Sequence, residues 1–159
     1  MADVLQPGTK APDFDMAADG GGRIRLADLK GAPVVLYFYP KDDTPGCTKQ
    51  AIDFSAAASA FAASGAHIVG VSRDSVASHA RFKARHQLDL ALASDPDGDV
   101  VERYGAWVEK SMYGRTYMGI DRSTFLIDGS GVIARIWRKV KVPGHVAEVA
   151  QALGELKAV

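Results

Sequence analysis

Residues 34–39 decide the fold, and they read Val-Val-Leu-Tyr-Phe-Tyr. Six consecutive apolar residues, rich in β-branched and aromatic types and bounded by Pro33 and Pro40, are typical of a strand buried on both faces. A short polar loop follows, after which Thr44 and Pro45 suit the N-cap and the first position of a helix. A buried central strand that leads into a helix predicts an α/β fold.

Strand and helix patterns alternate along the rest of the chain. The predicted strands cover residues 67–72, 90–94, 123–127 and 132–137, and the predicted helices cover residues 45–64, 75–87 and 145–156. The alternation predicts parallel strands at the centre, and the late hairpin, joined at 128–131, adds antiparallel ones. We therefore predict a thioredoxin-like α/β fold, a mixed central β-sheet flanked by helices.

Three further segments complete the predicted organisation. Residues 13–16 and 23–26 flank a glycine-rich turn and predict an N-terminal β-hairpin. Residues 1–12 contain three glycine or proline breaks and are expected to be extended. Residues 106–120 are aromatic and interrupted by glycines, which we interpret as a loop.

Length and charge restrict the class of protein. The 159 residues predict a single domain, 1–159, at about 150 residues per domain. Lys plus Arg and Asp plus Glu each number 19, so the formal net charge is zero and no nucleic-acid partner is expected. The uncharged run 54–72 is largely Ala and Ser with a Ser-Gly break, so we predict a buried helix and strand there and no membrane partner.

The chain has one cysteine, which excludes an intramolecular disulfide. A free thiol fits a reducing compartment. The first residues carry neither a basic start nor an apolar stretch, so no signal peptide is predicted. These features together predict a cytoplasmic protein.

That cysteine, Cys47, lies at a position that favours reactivity. If Thr44 is the N-cap, Cys47 is the third residue of the helix, where amide N–H groups lack intrahelical partners and the helix dipole is positive. Both effects stabilise a thiolate. A lone cysteine is more often a small buried hydrophobe, but active sites of α/β sheets lie beyond the carboxyl ends of the strands. We therefore predict a reactive thiol that solvent can reach.

Other constellations are weaker. His79 and His86 lie seven residues apart, and with Cys47 they could bind zinc, but no close ligand pair accompanies them, so a solvated helix face is expected. The alternating aspartates of 95–99 suggest a calcium loop, yet glycine stands in the fourth place instead of the sixth. A Cys–His pair for hydrolysis stays open, because the histidine can be distant in sequence.

Two motifs resemble the peroxiredoxin family. The family's active-site loop has proline, three residues, threonine or serine, two residues, and cysteine, and Pro40, Thr44 and Cys47 fill this pattern. Residues 109–128, which include Arg122, resemble the bacterioferritin-comigratory-protein group, also called peroxiredoxin Q. The likeness covers nearly the whole chain.

The resemblance implies an antioxidant enzyme that reduces hydrogen peroxide and organic hydroperoxides without a metal or another cofactor. Cys47 would be the peroxidatic nucleophile and become a sulfenic acid. Thr44 would hydrogen-bond the peroxide, and Arg122 would stabilise the thiolate and the separating oxygens. Pro40 would shield the pocket, and the N–H of Gly46 would face the substrate.

The sequence departs from the family at the resolving cysteine. Relatives carry this second cysteine either five residues after the first or in the next helix, where this chain has Ile52 and Lys83. No resolving cysteine is therefore expected, and an external thiol must reduce Cys47: thioredoxin, a glutaredoxin or glutathione. Relatives occur as monomers and as homodimers.

Two other functions compete with a peroxidase. A thioredoxin-like binding or chaperone module could use Cys47 as a redox sensor, although a sensor needs fewer pocket residues. A thioredoxin-type disulfide reductase would need a C-x-x-C motif, which this chain lacks.

Overall fold

The computed structural model describes residues 5–157, and within them a seven-stranded mixed sheet is flanked by helices. The strands are β1 (Asp15–Ala18), β2 (Arg23–Arg25), β3 (Val34–Phe38), β4 (His67–Ser72), β5 (Ala91–Ser94), β6 (Trp107–Met112), β7 (Arg115–Ile120), β8 (Ser123–Ile127) and β9 (Ile133–Trp137). The helices are α1 (Leu26–Leu29), α2 (Pro45–Ala56), α3 (Ala58–Ala63), α4 (Val76–His86), α5 (Asp99–Arg103) and α6 (His145–Lys157). The main sheet has the order β2-β1-β5-β4-β3-β8-β9.

Strand β3 is an interior strand of this sheet, between β4 and β8. It pairs in parallel with β4 and antiparallel with β8, and all five of its residues are buried. Alternate residues contribute to two apolar clusters, one on each face of the sheet, with Leu36 and Phe38 in one and Val35 and Tyr37 in the other. The predicted two-faced burial and the thioredoxin-like α/β fold are confirmed.

The segment predicted as one helix over 45–64 is two helices. Helix α2 ends at Ala56, and α3 begins at Ala58. Between them the N–H of Ala57 is shared by the carbonyls of Asp53 and Phe54, at 3.3 and 3.1 Å. The sequence has no glycine or proline at this break, so local propensity did not predict it.

The prediction of a loop over 106–120 was wrong. These residues form the hairpin of β6 and β7, which pair in register from Trp107 opposite Ile120 to Met112 opposite Arg115. The turn residues Tyr113 and Gly114 both have positive φ, 52° and 77°, as a two-residue hairpin turn requires. Most of β7 is exposed, so the hairpin lacks the apolar alternation that marks a half-buried strand.

The remaining predictions place most elements within a few residues. The N-terminal hairpin is β1 with β2, paired antiparallel. Residues 1–4 of the segment expected to be extended lie outside the described residues. The uncharged run 54–72 covers the end of α2, then α3 and β4. Strand β4 is buried as predicted, but in α3 only Phe61 is buried, so the prediction of a buried helix was wrong there. No helix between residues 5 and 157 has the length and apolar character needed to cross a membrane.

Candidate active site

The site begins where α2 starts, at the carboxyl end of β3. Thr44 is the N-cap, with extended backbone, and Pro45 is the first helical residue, so Cys47 is the third. The first intrahelical bond runs from the Thr48 N–H to the Thr44 carbonyl at 2.8 Å. The amides of Gly46 and Cys47 precede that bond and sit in the positively charged first turn.

The Thr44 side chain does not cap the helix. Its hydroxyl donates to the Lys41 carbonyl at 2.8 Å, within the loop that precedes α2. The single hydroxyl proton is thereby committed, whereas the lone pairs of the oxygen remain able to accept a hydrogen bond. Thr44 is therefore suited in this state to accept a hydrogen bond from a bound molecule.

Cys47 is buried, with 2% of its surface exposed, so the prediction of a solvent-reachable thiol was wrong. It belongs to the apolar cluster between the sheet and α2 that includes Tyr37 and Phe54. Its helix neighbours Pro45 and Gly46 are exposed. A polar loop in sequence did not imply an exposed thiol, because the third helical residue turns its side chain back toward the sheet.

Arg122 comes to the cysteine from a distant part of the chain. It directly precedes β8, whose first residue pairs with the last residue of β3, so the sheet itself places Arg122 beside the start of α2. One arm of the guanidinium, Nη2, lies 3.4 Å from Cys47 Sγ. The other, Nη1, donates to Gln50 Oε1 at 2.6 Å. A fixed positive charge thus faces the sulfur.

Gly46 gives the guanidinium room. A Cβ atom at this position would lie 3.2 Å from Arg122 Nη2, tighter than an ordinary contact. A side chain at residue 46 would therefore push Arg122 away from the thiol. Pro40 is exposed at the end of β3. The structure thus brings Gly46, Cys47 and Arg122 together, with Thr44 at the helix N-cap and Pro40 at the loop entrance.

Sequence reasoning missed two side chains beside the cysteine. Gln50 is fully buried, and its Nε2 has no hydrogen-bond partner among the described residues. Its spacing of three from Cys47 on one helix face was the signal that could have found it. The Tyr37 hydroxyl is also buried without a partner. Burial raises the pKa of this phenol.

The histidines bond to groups other than the thiol. His79 was expected on a solvated face but is fully buried, with its ring between Asp42 and Ala93. His145 is buried against Thr124. Neither offers the base that a hydrolytic Cys–His pair requires. No cluster of three potential metal ligands occurs in the part of the chain that the structure describes.

The two positions where relatives carry a resolving cysteine hold unreactive side chains. Ile52 is 42% exposed on α2, five residues beyond Cys47. Lys83 lies on α4, and its Nζ forms an ion pair with Asp19 at 2.7 Å. Neither residue can form a disulfide.

Comparison with known proteins agrees with this geometry. Residues 7–136 match the model of the AhpC/TSA family. The peroxiredoxin Bcp of Bacillus subtilis is 47% identical over 96% of this chain and 98% of its own length. Its similarity spans both motifs described above.

Solved structures agree as well. A structure of the Xanthomonas campestris bacterioferritin comigratory protein, studied for alkyl peroxide reduction, is 42% identical with a TM-score of 0.87, covering 96% of this chain and 97% of the other. A cysteine-to-serine mutant of Xylella fastidiosa PrxQ is 38% identical with a TM-score of 0.89, covering 98% of each chain. The chain therefore belongs to the AhpC/TSA family and is a peroxiredoxin of its bacterioferritin-comigratory-protein group, that is, a thiol-dependent peroxidase.

Proposed function

We propose that Cys47 is the peroxidatic cysteine of this enzyme and that hydrogen peroxide and organic hydroperoxides are its substrates. The observation that carries the proposal is the Arg122 guanidinium 3.4 Å from Sγ, at a helix N-terminus whose first amides are free of intrahelical bonds. The helix end and the guanidinium both favour the thiolate, which is the nucleophilic form of cysteine.

In the reaction, the Cys47 thiolate attacks the terminal oxygen of the peroxide. A sulfur–oxygen bond forms, the oxygen–oxygen bond breaks, and Cys47 becomes a sulfenic acid. The other oxygen leaves with the electron pair and takes a proton from solvent, which gives water or an alcohol. The sulfur is oxidised and the peroxide reduced, so no metal or other cofactor enters the step.

Three groups assist this displacement. Negative charge moves from sulfur to the departing oxygen, and Arg122, being permanently charged and planar, can interact with both. The amides of Gly46 and Cys47 add fixed donors. Thr44 accepts a hydrogen bond from the peroxide O–H, since its own hydroxyl already donates to the Lys41 carbonyl. Pro40, at the loop entrance, limits the access of water.

An external thiol completes the cycle. Since Ile52 and Lys83 occupy the positions of a resolving cysteine, we infer that thioredoxin, a glutaredoxin or glutathione attacks the sulfenic acid. Water is released and a mixed disulfide forms, which a second thiol then reduces. A cysteine that depends on such reductants belongs in a reducing compartment, for which we propose the cytoplasm.

Peroxide consumption with dithiothreitol as the reductant tests this function. The wild-type protein should turn over many equivalents of peroxide, and Cys47→Ser should consume none. A redox sensor would instead be oxidised stoichiometrically and stop. Turnover by Cys47→Ser, or a single equivalent consumed by the wild type, would refute the proposal.

The mass of the oxidised protein tests the resolving step separately. Without added thiol, peroxide should add one oxygen to the intact protein and excess peroxide a second, because sulfinic acid is the next oxidation state. With glutathione present first, a mixed disulfide should form. Rapid formation of a Cys47–Cys47 dimer would show that self-pairing, and not an external thiol, resolves the sulfenic acid.

A further inference from the structure

A buried polar cluster, not used in the reaction above, ties α4 to the loop that carries the site. At its centre is His79, whose side chain is fully buried. Its Nδ1 lies 2.8 Å from Asp42 Oδ2, and its Nε2 lies 2.9 Å from the Ala93 carbonyl oxygen. Both neighbours are acceptors. A neutral imidazole has one N–H, so with Asp42 ionised the two contacts are both hydrogen bonds only if His79 is an imidazolium.

The Asp42 carboxylate is equally well partnered. Besides His79, it accepts the Tyr39 hydroxyl at 2.5 Å and the Ser78 hydroxyl at 2.7 Å. Burial alone would raise the pKa of this carboxyl, but the hydrogen bonds from His79, Tyr39 and Ser78 outweigh it and hold the pKa below its usual value. Asp42 is therefore ionised at neutral pH, so a His79 ring that carries a proton on both nitrogens would complete a buried ion pair.

The contact between His79 and Asp42 acts on the loop between β3 and α2. The Asp42 amide also donates to Asp74 Oδ2 at 2.8 Å, which fixes the backbone at this point. The next residue, Asp43, has a positive φ of 62° and contacts His86 Nε2 at 2.8 Å. Helix α4 thus holds two consecutive loop residues, directly before Thr44 and a few residues before Cys47.

We propose that His79, in its imidazolium form, is a positioning residue for the peroxidase reaction. Its ion pair with Asp42 fixes the loop so that Thr44 and the first turn of α2 are held against the peroxide. The proposal rests on the function assigned to Cys47 above, and it adds a group that never touches the substrate. It also makes the reaction depend on the protonation of a side chain in another helix.

The dependence on pH follows from the groups around His79. Those that face its ring are the Asp42 carboxylate, the Ala93 carbonyl and the Tyr39 hydroxyl, the last 3.4 Å from Nδ1, with Asp74 one hydrogen bond further away. When His79 loses a proton, one ring nitrogen presents a lone pair to an acceptor oxygen. Two acceptors in contact in a buried site are unfavourable, so a neutral ring weakens either the contact with Asp42 or the contact with Ala93, and helix α4 no longer holds the loop as firmly.

The test follows the rate of Cys47 oxidation in single-turnover mixing with hydrogen peroxide across a pH series. The wild type should show a rate that falls at the alkaline end, as the ion pair is lost. His79→Gln should be slower by about tenfold at neutral pH, as expected when reacting groups lose alignment, and should lack the alkaline fall. The matched control is His67→Gln, at an exposed position at the start of β4, which should follow the wild type.

The charge on His79 is measured directly in the wild type by the 15N chemical shifts of its ring nitrogens, which distinguish an imidazolium from either neutral tautomer. A neutral ring at neutral pH would overturn the proposal, even if His79→Gln did not fold. A folded His79→Gln with the wild-type rate and pH profile would also overturn it. Failure of the wild type to consume peroxide would instead remove the function of Cys47, so the two failures are distinguishable.

Discussion

Replacing Arg122 with lysine tests the chemistry of the site most sharply, because it keeps the charge and removes the geometry. The guanidinium spans two partners, with one nitrogen 2.6 Å from Gln50 Oε1 and another 3.4 Å from Cys47 Sγ. A lysine has one nitrogen and cannot bond to both in a fixed plane. The lysine ammonium would either bond to Gln50 or approach the Cys47 sulfur, and in neither case would it have the fixed orientation of the guanidinium.

The expected loss follows from that geometry. Removing one preorganised donor from a site of developing charge costs on the order of 100-fold in rate, about 2.7 kcal/mol at 1.36 kcal/mol per decade. We expect Arg122→Lys to lose about this much. Arg122→Met, which also removes the charge, should lose on the order of 1000-fold.

The assay is the single-turnover rate of Cys47 oxidation by hydrogen peroxide, with thermal unfolding as a check that each variant is folded. Arg23→Lys is the matched control, since Arg23 is an exposed arginine paired with Asp15 in the N-terminal hairpin. A folded Arg122→Lys protein with the wild-type rate would refute the role of the guanidinium fork.

Three further outcomes are expected. Thr44→Val should oxidise at least tenfold more slowly, whereas Thr44→Ser should keep most of the rate, because only serine retains an oxygen that accepts a hydrogen bond from the peroxide. Equal rates of the two variants in stopped-flow mixing would contradict this. Burial lowers the pKa of His145 below its usual 6.5, so its contribution to stability is complete above pH 6.5 and is lost as pH falls through the lowered value. The urea stability of the wild type relative to His145→Gln should accordingly shrink on acidification, and a constant difference would argue against it. Gly70→Ala should lower the free energy of unfolding by about 1–3 kcal/mol in urea, because the new Cβ would lie 2.8 Å from the Tyr37 ring. A loss below about 0.5 kcal/mol would show that the ring moves freely.

The elements that sequence reasoning placed well are those whose burial leaves a periodic pattern. Strand β4 at His67–Ser72 and strand β8 at Ser123–Ile127 have the predicted bounds, since each contains a short apolar stretch, at 68–71 and 125–127, close to turn residues. The β6–β7 hairpin was missed for the opposite reason. Backbone hydrogen bonds and a turn hold it outside the main sheet, and these leave little trace in the pattern of apolar residues.

In the candidate site, too, some features could be predicted from the sequence and others could not. The position of Cys47 in α2 follows from local rules for capping and the first helical turn, so it was predictable. Its burial was not, because the apolar cluster around it comes from β3 and from elsewhere in the fold. The burial of His79 has the same origin, since Asp42 and Ala93 meet it only when three separate segments pack together.

Because the sulfur of Cys47 is shielded, oxidation by peroxide and reduction by a protein thiol differ in how far the structure around it must open. A molecule as small as hydrogen peroxide needs little more than a gap at the exposed first turn of α2, whereas a protein thiol must approach the sulfur along the axis of the bond it breaks. With 2% of Cys47 exposed, such an approach requires α2 to open, and the division of the helix at Ala57 is a natural end for that opening. Turnover with a protein reductant should then reach a ceiling set by this opening, whatever the concentration of the reductant.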